Sequence, residues 1–158
     1  MRLTVLALVI ALSGGCESGG RASPDRSDPG AIETPPYQVM VEHILIAFRD
    51  APGFRGKPPH SASQRTKQEA EILAKALLER ARTGTDFAEL ASSSDDRRGT
   101  TYAMSNYGEE VPEGFSPRTA MTKSFGDVAF SLRIGEVGLA AFHADDSPYG
   151  WHVILRIE

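Results

Sequence analysis

Short apolar runs and one long helical stripe alternate along the chain after residue 36. Apolar, β-branched runs at 37–48, 137–142 and 151–157 predict three strands, and a weaker pattern predicts another near 102–107. Between these runs, apolar residues recur three and four positions apart, as on one face of a helix. The main stripe consists of Ala70, Leu73, Ala74, Leu77, Leu78 and Ala81. This order of elements predicts an α+β fold, with a small, mostly antiparallel four-stranded sheet flanked by about four helices.

Capping residues mark where the predicted helices begin. The run Thr66-Lys67-Gln68-Glu69 has the spacing of a capping box and predicts the start of the main helix. Thr85-Asp86 predicts a short second helix, and Ser124, with an aspartate three residues later, predicts another that ends at 134–136. Residues 49–63 contain three prolines and two glycines, so this segment is expected to be a loop.

The first residues have the pattern of a targeting signal. Arg2 precedes the apolar run 3–12, which is too short to span a bilayer but suits the h-region of a signal peptide. Small residues then lead to Cys16, and this arrangement resembles a bacterial lipoprotein signal, in which the cysteine is lipidated and becomes the mature N-terminus. Ser13 stands where such signals usually carry leucine. The alternative is an ordinary secretory signal with an incidental cysteine.

Composition divides the chain into three parts. Residues 17–36 are rich in Gly, Ser, Pro and charge and contain almost no large apolar side chain, so they cannot offset the entropy lost on ordering. We therefore expect a signal peptide (1–15), a lipidated cysteine with a flexible tether (16–36) and one folded domain (37–158). The length of 158 residues allows one domain with a core, but not two comfortable ones.

Charge and cysteine content exclude several classes of function. Seventeen Lys and Arg against 21 Asp and Glu give a net charge of -4, so no basic field attracts nucleic acid. Cys16 is the only cysteine, and therefore no internal disulfide can form. The four histidines lack metal-ligand spacing and cysteine partners, so we expect no zinc site.

Two histidines stand within apolar strand-like runs near opposite ends of the folded part. His43 lies within 41–46 and His152 within 150–155. A buried, titratable ring is costly unless it is hydrogen-bonded, so we expect neighbouring strands to bring the two rings together. Taken alone, each would more often be a structural core histidine.

Six segments of the folded part resemble, in their order along the chain, those of one known family. They are His43-Ile44-Leu45-Ile46, Arg65-Thr66-Lys67-Gln68-Glu69-Ala70, Asp86-Phe87-Ala88-Glu89-Leu90-Ala91, Ser94-Asp95-Asp96, the run from Phe125 to Glu136, and Tyr149-Gly150-Trp151-His152-Val153-Ile154. Together they resemble the parvulin family of peptidyl-prolyl cis/trans isomerases, or rotamases, over residues 39–158. The sequence departs from the family at 105–108, where the usual glycine-rich turn is Ser105-Asn106-Tyr107-Gly108, and at the longer segment 108–118.

The resemblance implies a catalytic site and its residues. His43, His152 and Asp96 would be catalytic, through orientation and electrostatics rather than nucleophilic attack, and the implied isomerisation would need no cofactor. Met121 and Phe125 would bind the substrate proline, and because they lie four residues apart we expect them to share one helical face. For the last two, simple core packing is the alternative, and Asp96 could equally be a turn residue.

Three functional hypotheses follow. The first is a lipid-anchored isomerase that assists the folding of exported proteins in the bacterial cell envelope, facing the periplasm, with the outer membrane favoured over the inner. Its partners would be proline-containing unfolded or exported polypeptides and, through the lipid, the membrane. The second is a catalytically weak chaperone or binding module of the same fold, suggested by the altered turn at 105–108. The third is a structural envelope lipoprotein that docks on a partner.

Overall fold

The apolar run that opens the folded part forms the central strand of a five-stranded sheet. A computed structural model describes residues 35–96 and 98–158, so the predicted signal peptide, Cys16 and the tether as far as residue 34 lie outside the described residues. The strands are β1 (Gln38–Ile46), β2 (Thr101–Ser105), β3 (Ser116–Pro117), β4 (Val137–Ala140) and β5 (Trp151–Arg156). Their order in the sheet is β3-β2-β1-β5-β4. All neighbours are antiparallel except β2 and β3.

Four α-helices complete the α+β fold in the described part of the chain. They are α1 (His60–Ser63), α2 (Lys67–Arg82), α3 (Phe87–Ala91) and α4 (Lys123–Ser131), with 3-10 turns at Pro52–Phe54 and Arg118–Ala120. The predicted capping box is present, since the Thr66 hydroxyl accepts from the Glu69 N–H and the Glu69 carboxylate accepts from the Thr66 N–H. The Asp86 side chain caps α3 in a similar way, because its Oδ1 accepts a hydrogen bond from the backbone N–H of Glu89.

The structure differs from the sequence predictions at three places. The sheet has a fifth strand, β3, whose two residues are too few to leave an alternating pattern. The predicted loop at 49–63 contains α1. Helix α4 starts after Thr122 rather than at Ser124 and ends at Ser131. The predicted capping partner Asp127 pairs instead with the side chains of Arg118 and Lys123.

The two faces of the sheet carry different cores. Side chains alternate along each strand, so Ile44 and Ile46 point to the face covered by α2 and α3, whereas Val39, Val41 and His43 point to the face covered by α4. The buried residues Ala70, Ala74, Leu77 and Leu78 of the predicted stripe fill the first face. The histidines therefore lie on the α4 side of the sheet.

A close backbone contact fixes the start of β5. At Gly150, with φ +145°, an added Cβ would lie 2.3 Å from the carbonyl oxygen of Ile46 and 2.9 Å from the Cα of Ala47. Glycine therefore allows β5 to begin directly against the end of β1, where His152 enters the sheet. None of the helices in the described part is long and apolar enough to cross a bilayer.

Candidate active site

The rings of His43 and His152 lie against each other on one face of the sheet. In the antiparallel pair of β1 and β5, His43 is opposite Ile154 and His152 is opposite Leu45. The two rings are therefore diagonal neighbours. Their Nδ1 atoms lie 3.2 Å apart, so one nitrogen donates a hydrogen bond and the other accepts it. Both residues are buried, with 2% and 6% of their surface exposed.

Burial makes both histidines hard to protonate. Loss of solvation lowers the pKa of His43, while the nearby charge of Asp96 acts in the opposite direction. The pKa of His152 falls to about 3, because the ring is buried and because a charge on His43 would repel its own. Both rings are therefore uncharged at neutral pH, and a single proton lies between their Nδ1 atoms.

Asp96 places a carboxylate beside the second nitrogen of His43. Its Oδ2 lies 3.4 Å from His43 Nε2, longer than a well-formed hydrogen bond, and its side chain is 7% exposed. The same oxygen accepts a hydrogen bond from the Tyr102 hydroxyl at 3.2 Å, and Oδ1 accepts from the backbone N–H of Arg98 at 2.9 Å. Burial, and then the charge of Asp96, raise the pKa of Tyr102, so this hydroxyl stays protonated as a donor.

Phe125 closes the site from the α4 side. Its ring centroid lies 5.3 Å from that of His43 and 5.3 Å from that of His152, in edge-to-face geometry with both. Tyr102 adds a further edge-to-face contact to His43 at 5.1 Å. Met121 does not share a helical turn with Phe125 as predicted, because it lies in extended conformation between the 3-10 turn and α4. It nevertheless borders the same cleft.

All five predicted site residues of the folded domain border one cleft of about 260 Å³. The cleft also contains residues that the sequence did not single out, namely Arg98, Tyr102, Ala120, Thr122 and Tyr149. Tyr149 belongs to the Tyr149–Ile154 segment that carries the family resemblance, and this was the signal that could have identified it. In the described ranges 35–96 and 98–158, no three His, Cys, Asp or Glu side chains are grouped as a metal ion would require.

A second cleft of about 380 Å³ adjoins this one, and Tyr149 borders both. The two clefts share Asp96, Arg98 and Tyr149, and the second is otherwise lined by Leu45, Phe54, Lys57, Pro58, Pro59 and Asp95. The Tyr149 ring packs edge-to-face on Phe54 at 5.2 Å and lies directly against Gly53, where an added Cβ would come within 2.6 Å of it. The position of Tyr149 therefore depends on a glycine nearly a hundred residues earlier.

The altered turn at 105–108 is tied to the helix that carries Phe125. Arg118 donates to the side-chain oxygen of Asn106 at 2.9 Å and to the Asp127 carboxylate at 2.5 Å. Its guanidinium also lies over the rings of Tyr107 and Phe130, at 4.6 and 4.7 Å from their centroids. The turn thus has its own anchor, and the cleft beside Phe125 is formed despite the departure from the family pattern.

Comparisons with known proteins agree with this arrangement. A family model described as a PPIC-type PPIase domain matches residues 30–157. The structure of the peptidyl-prolyl isomerase ESS1 from Candida albicans is 27% identical to this chain, with a TM-score of 0.56. The match covers 77% of this chain and 63% of ESS1, so this chain spans less than two thirds of the length of ESS1. The solution structure of TbPIN1 is 22% identical with a TM-score of 0.56, covering 77% of this chain and 98% of that one.

Proposed function

Because the chain belongs to the PPIC-type peptidyl-prolyl isomerase family, the parvulins, we propose that it catalyses cis/trans isomerisation of X–Pro bonds in unfolded polypeptides exported to the bacterial cell envelope. The observation that carries the catalytic part is the convergence of His43, Asp96, Met121, Phe125 and His152 on one cleft. Different elements supply them: β1, the segment after α3, the segment before α4, α4 itself and β5.

The reaction depends on binding geometry and needs no covalent chemistry. Rotation about an X–Pro bond faces a barrier of about 18–20 kcal/mol from amide resonance, and uncatalysed exchange takes roughly tens to hundreds of seconds. A site that binds the twisted amide more tightly than either planar form lowers this barrier.

The apolar side of the cleft suits the proline ring. Met121 is half-buried and Phe125 is 4% exposed, so together they offer a hydrophobic surface to the substrate. The two histidine rings pack against the Phe125 ring. In our account the proline ring packs on Met121 and Phe125. This contact fixes one end of the rotating bond while the preceding residue turns.

The polar side of the cleft suits the twisted amide. When the amide twists, conjugation is lost and the C–N unit becomes less polar, so a buried site of low charge favours the twisted form over the planar one. The uncharged rings of His43 and His152 supply such a surface next to Phe125. Asp96 orients them through His43, and its own negative charge is held by Tyr102 and Arg98. None of these groups has to attack the substrate.

The refolding of a client whose slow phase is limited by proline isomerisation tests the catalytic proposal. We expect the predicted mature chain (16–158) to accelerate that phase in proportion to its concentration, and to have no effect on a proline-free client of similar size. Equal suppression of aggregation for both clients, without acceleration, would instead favour the binding-module hypothesis and overturn the catalytic one.

The envelope location is supported by the N-terminal sequence alone. Arg2, the apolar run 3–12 and Cys16 resemble a lipoprotein signal, and the tether would extend roughly 25 Å from the membrane surface. Acyl chains on Cys16 would anchor the domain, facing the periplasm and, in our proposal, on the outer membrane. Radiolabelled palmitate fed to expressing cells should label the chain, and Cys16→Ala should abolish the label. Persistent labelling of this variant would contradict the anchor.

A further inference from the structure

Asp95 is a buried carboxylate that the proposed reaction does not use. Its side chain is 1% exposed. The backbone N–H of Ala47 donates to Oδ2 at 2.8 Å, Arg65 Nη1 donates to the same oxygen at 2.7 Å, and the Ser61 hydroxyl donates to Oδ1. Ala47 follows the last residue of β1, Ser61 lies in α1, and Arg65 precedes the N-cap residue of α2. A carboxylate held by three donors from separate elements has little freedom to rotate.

The backbone around Asp95 is held to the same edge of β1. Strand β2 pairs with β1 only as far as Glu42, which leaves the later edge of β1 open. The N–H of Asp95 donates to the carbonyl of Leu45 at 2.8 Å, and the Ser94 hydroxyl accepts from the Leu45 N–H at 3.1 Å. The same hydroxyl accepts from the N–H of Asp96 at 3.2 Å. Residues 94–96 therefore continue along β1 beyond the end of β2.

We propose that Asp95 is a positioning residue that fixes Asp96 beside His43. Asp96 follows directly in the chain, and its carboxylate lies 3.4 Å from His43 Nε2, so the bonds that hold Asp95 also limit where Asp96 can lie. Arg65 strengthens the arrangement, because Nη1 also donates to the carbonyl of Ala47 at 2.7 Å and so binds β1 and Asp95 together. The consequence for catalysis rests on the function proposed above.

The position of Asp96 determines which nitrogen of His43 carries the proton. A carboxylate next to Nε2 favours the proton on Nε2, so Nδ1 of His43 accepts the hydrogen bond and Nδ1 of His152 donates it. If Asp96 moves away, this preference is lost and the pair is no longer held in one tautomer. A residue that only stabilised the fold would leave the tautomer unchanged.

The test compares three variants of the predicted mature chain (16–158). Asp95→Asn keeps the size of the side chain but replaces one acceptor oxygen with a donor. Ser61→Ala removes a single donor and is the milder change. Leu77→Ala is the control, because Leu77 is buried on the opposite face of the sheet and its loss lowers stability without touching the cleft. The readouts are the ring ¹⁵N chemical shifts of His43 and His152 and kcat/KM for an X–Pro peptide.

Asp95→Asn should move the His43 ring signals away from the Nε2–H tautomer and lower kcat/KM by up to about 100-fold. Ser61→Ala should shift both readouts in the same direction but less, and Leu77→Ala should leave the ring signals unchanged. Wild-type ring signals in both Asp95→Asn and Ser61→Ala would overturn the proposal, and Ser61→Ala decides alone if Asp95→Asn does not fold. If the wild-type chain showed no isomerisation, the proposed function would fail, yet the ring signals would still test the role of Asp95.

Discussion

The Nδ1 atoms of His43 and His152 face each other at 3.2 Å inside the protein, so one of the two must remain without a proton. Protonating both rings would set two N–H groups against each other in a buried space. The contact therefore links the protonation of the site to the stability of the sheet, through the two strands that carry the rings.

We expect the free energy of unfolding to fall as the pH drops below about 6.5, the ordinary pKa of histidine. Burial lowers the pKa of His43 and lowers that of His152 to about 3, so in this range the unfolded chain binds protons that the folded chain does not. The loss from His152 alone would reach about 1.4 kcal/mol per pH unit and would continue until the pH nears its folded pKa.

Urea unfolding at pH 7, 6 and 5 measures this slope. The variant His143→Ala is the matched control, because it removes an exposed histidine outside the buried pair. His152→Asn removes one of the two buried titrating rings and should reduce the slope. A free energy of unfolding that stayed constant between pH 7 and pH 5 would show that burial does not keep these rings uncharged in the folded protein.

Gly53→Ala should weaken substrate binding, although Gly53 itself does not line the cleft. The added Cβ would lie 2.6 Å from the Tyr149 ring, so the ring must move, and it borders both clefts. We expect KM for an X–Pro peptide to rise several-fold, with a smaller effect on kcat. Steady-state kinetics would show this, with Pro52→Ala at an exposed position of the same turn as the control. Unchanged kinetics in both variants would mean that Tyr149 does not contact the substrate.

Arg118→Met should destabilise the domain far more than Lys123→Met. Both side chains pair with Asp127, but Arg118 is 13% exposed and also binds Asn106, whereas Lys123 is 65% exposed. We expect a loss of about 1–3 kcal/mol for Arg118→Met, since it removes the hydrogen bonds to Asn106 and Asp127 and the contacts with the Tyr107 and Phe130 rings. Lys123→Met removes only one exposed ion pair, so its effect on stability should be much smaller. Thermal or urea unfolding measures both, and equal losses would show that the 105–108 turn is not anchored through Arg118.

The central pairing could be predicted because it depends on short-range pattern. His43 and His152 each lie in an apolar strand-like run, and two such runs in a small antiparallel sheet become neighbours. The capping box at Thr66 and Glu69 was also predictable, because its partners are three residues apart.

Contacts made by residues outside the strand and helix patterns could not be predicted in this way. The partners of Asp95 could not be read from the sequence, because its donors Ala47, Ser61 and Arg65 lie 30 or more residues earlier in the chain. Likewise, the expectation that Met121 and Phe125 share a helical turn was wrong, although both border the cleft, because α4 starts only at Lys123. The resemblance, rather than the four-residue spacing, placed both residues at the cleft.

The most direct test of the account is the cis/trans exchange rate of X–Pro peptides, measured by NMR exchange spectroscopy with the predicted mature chain (16–158) and a scan of the residue before proline. We expect exchange well above the uncatalysed rate, a loss of at least about tenfold in kcat/KM in His43→Ala and in His152→Ala, and no change in His143→Ala. A folded wild-type chain that left every peptide at its uncatalysed rate, or folded histidine variants with full activity, would contradict it.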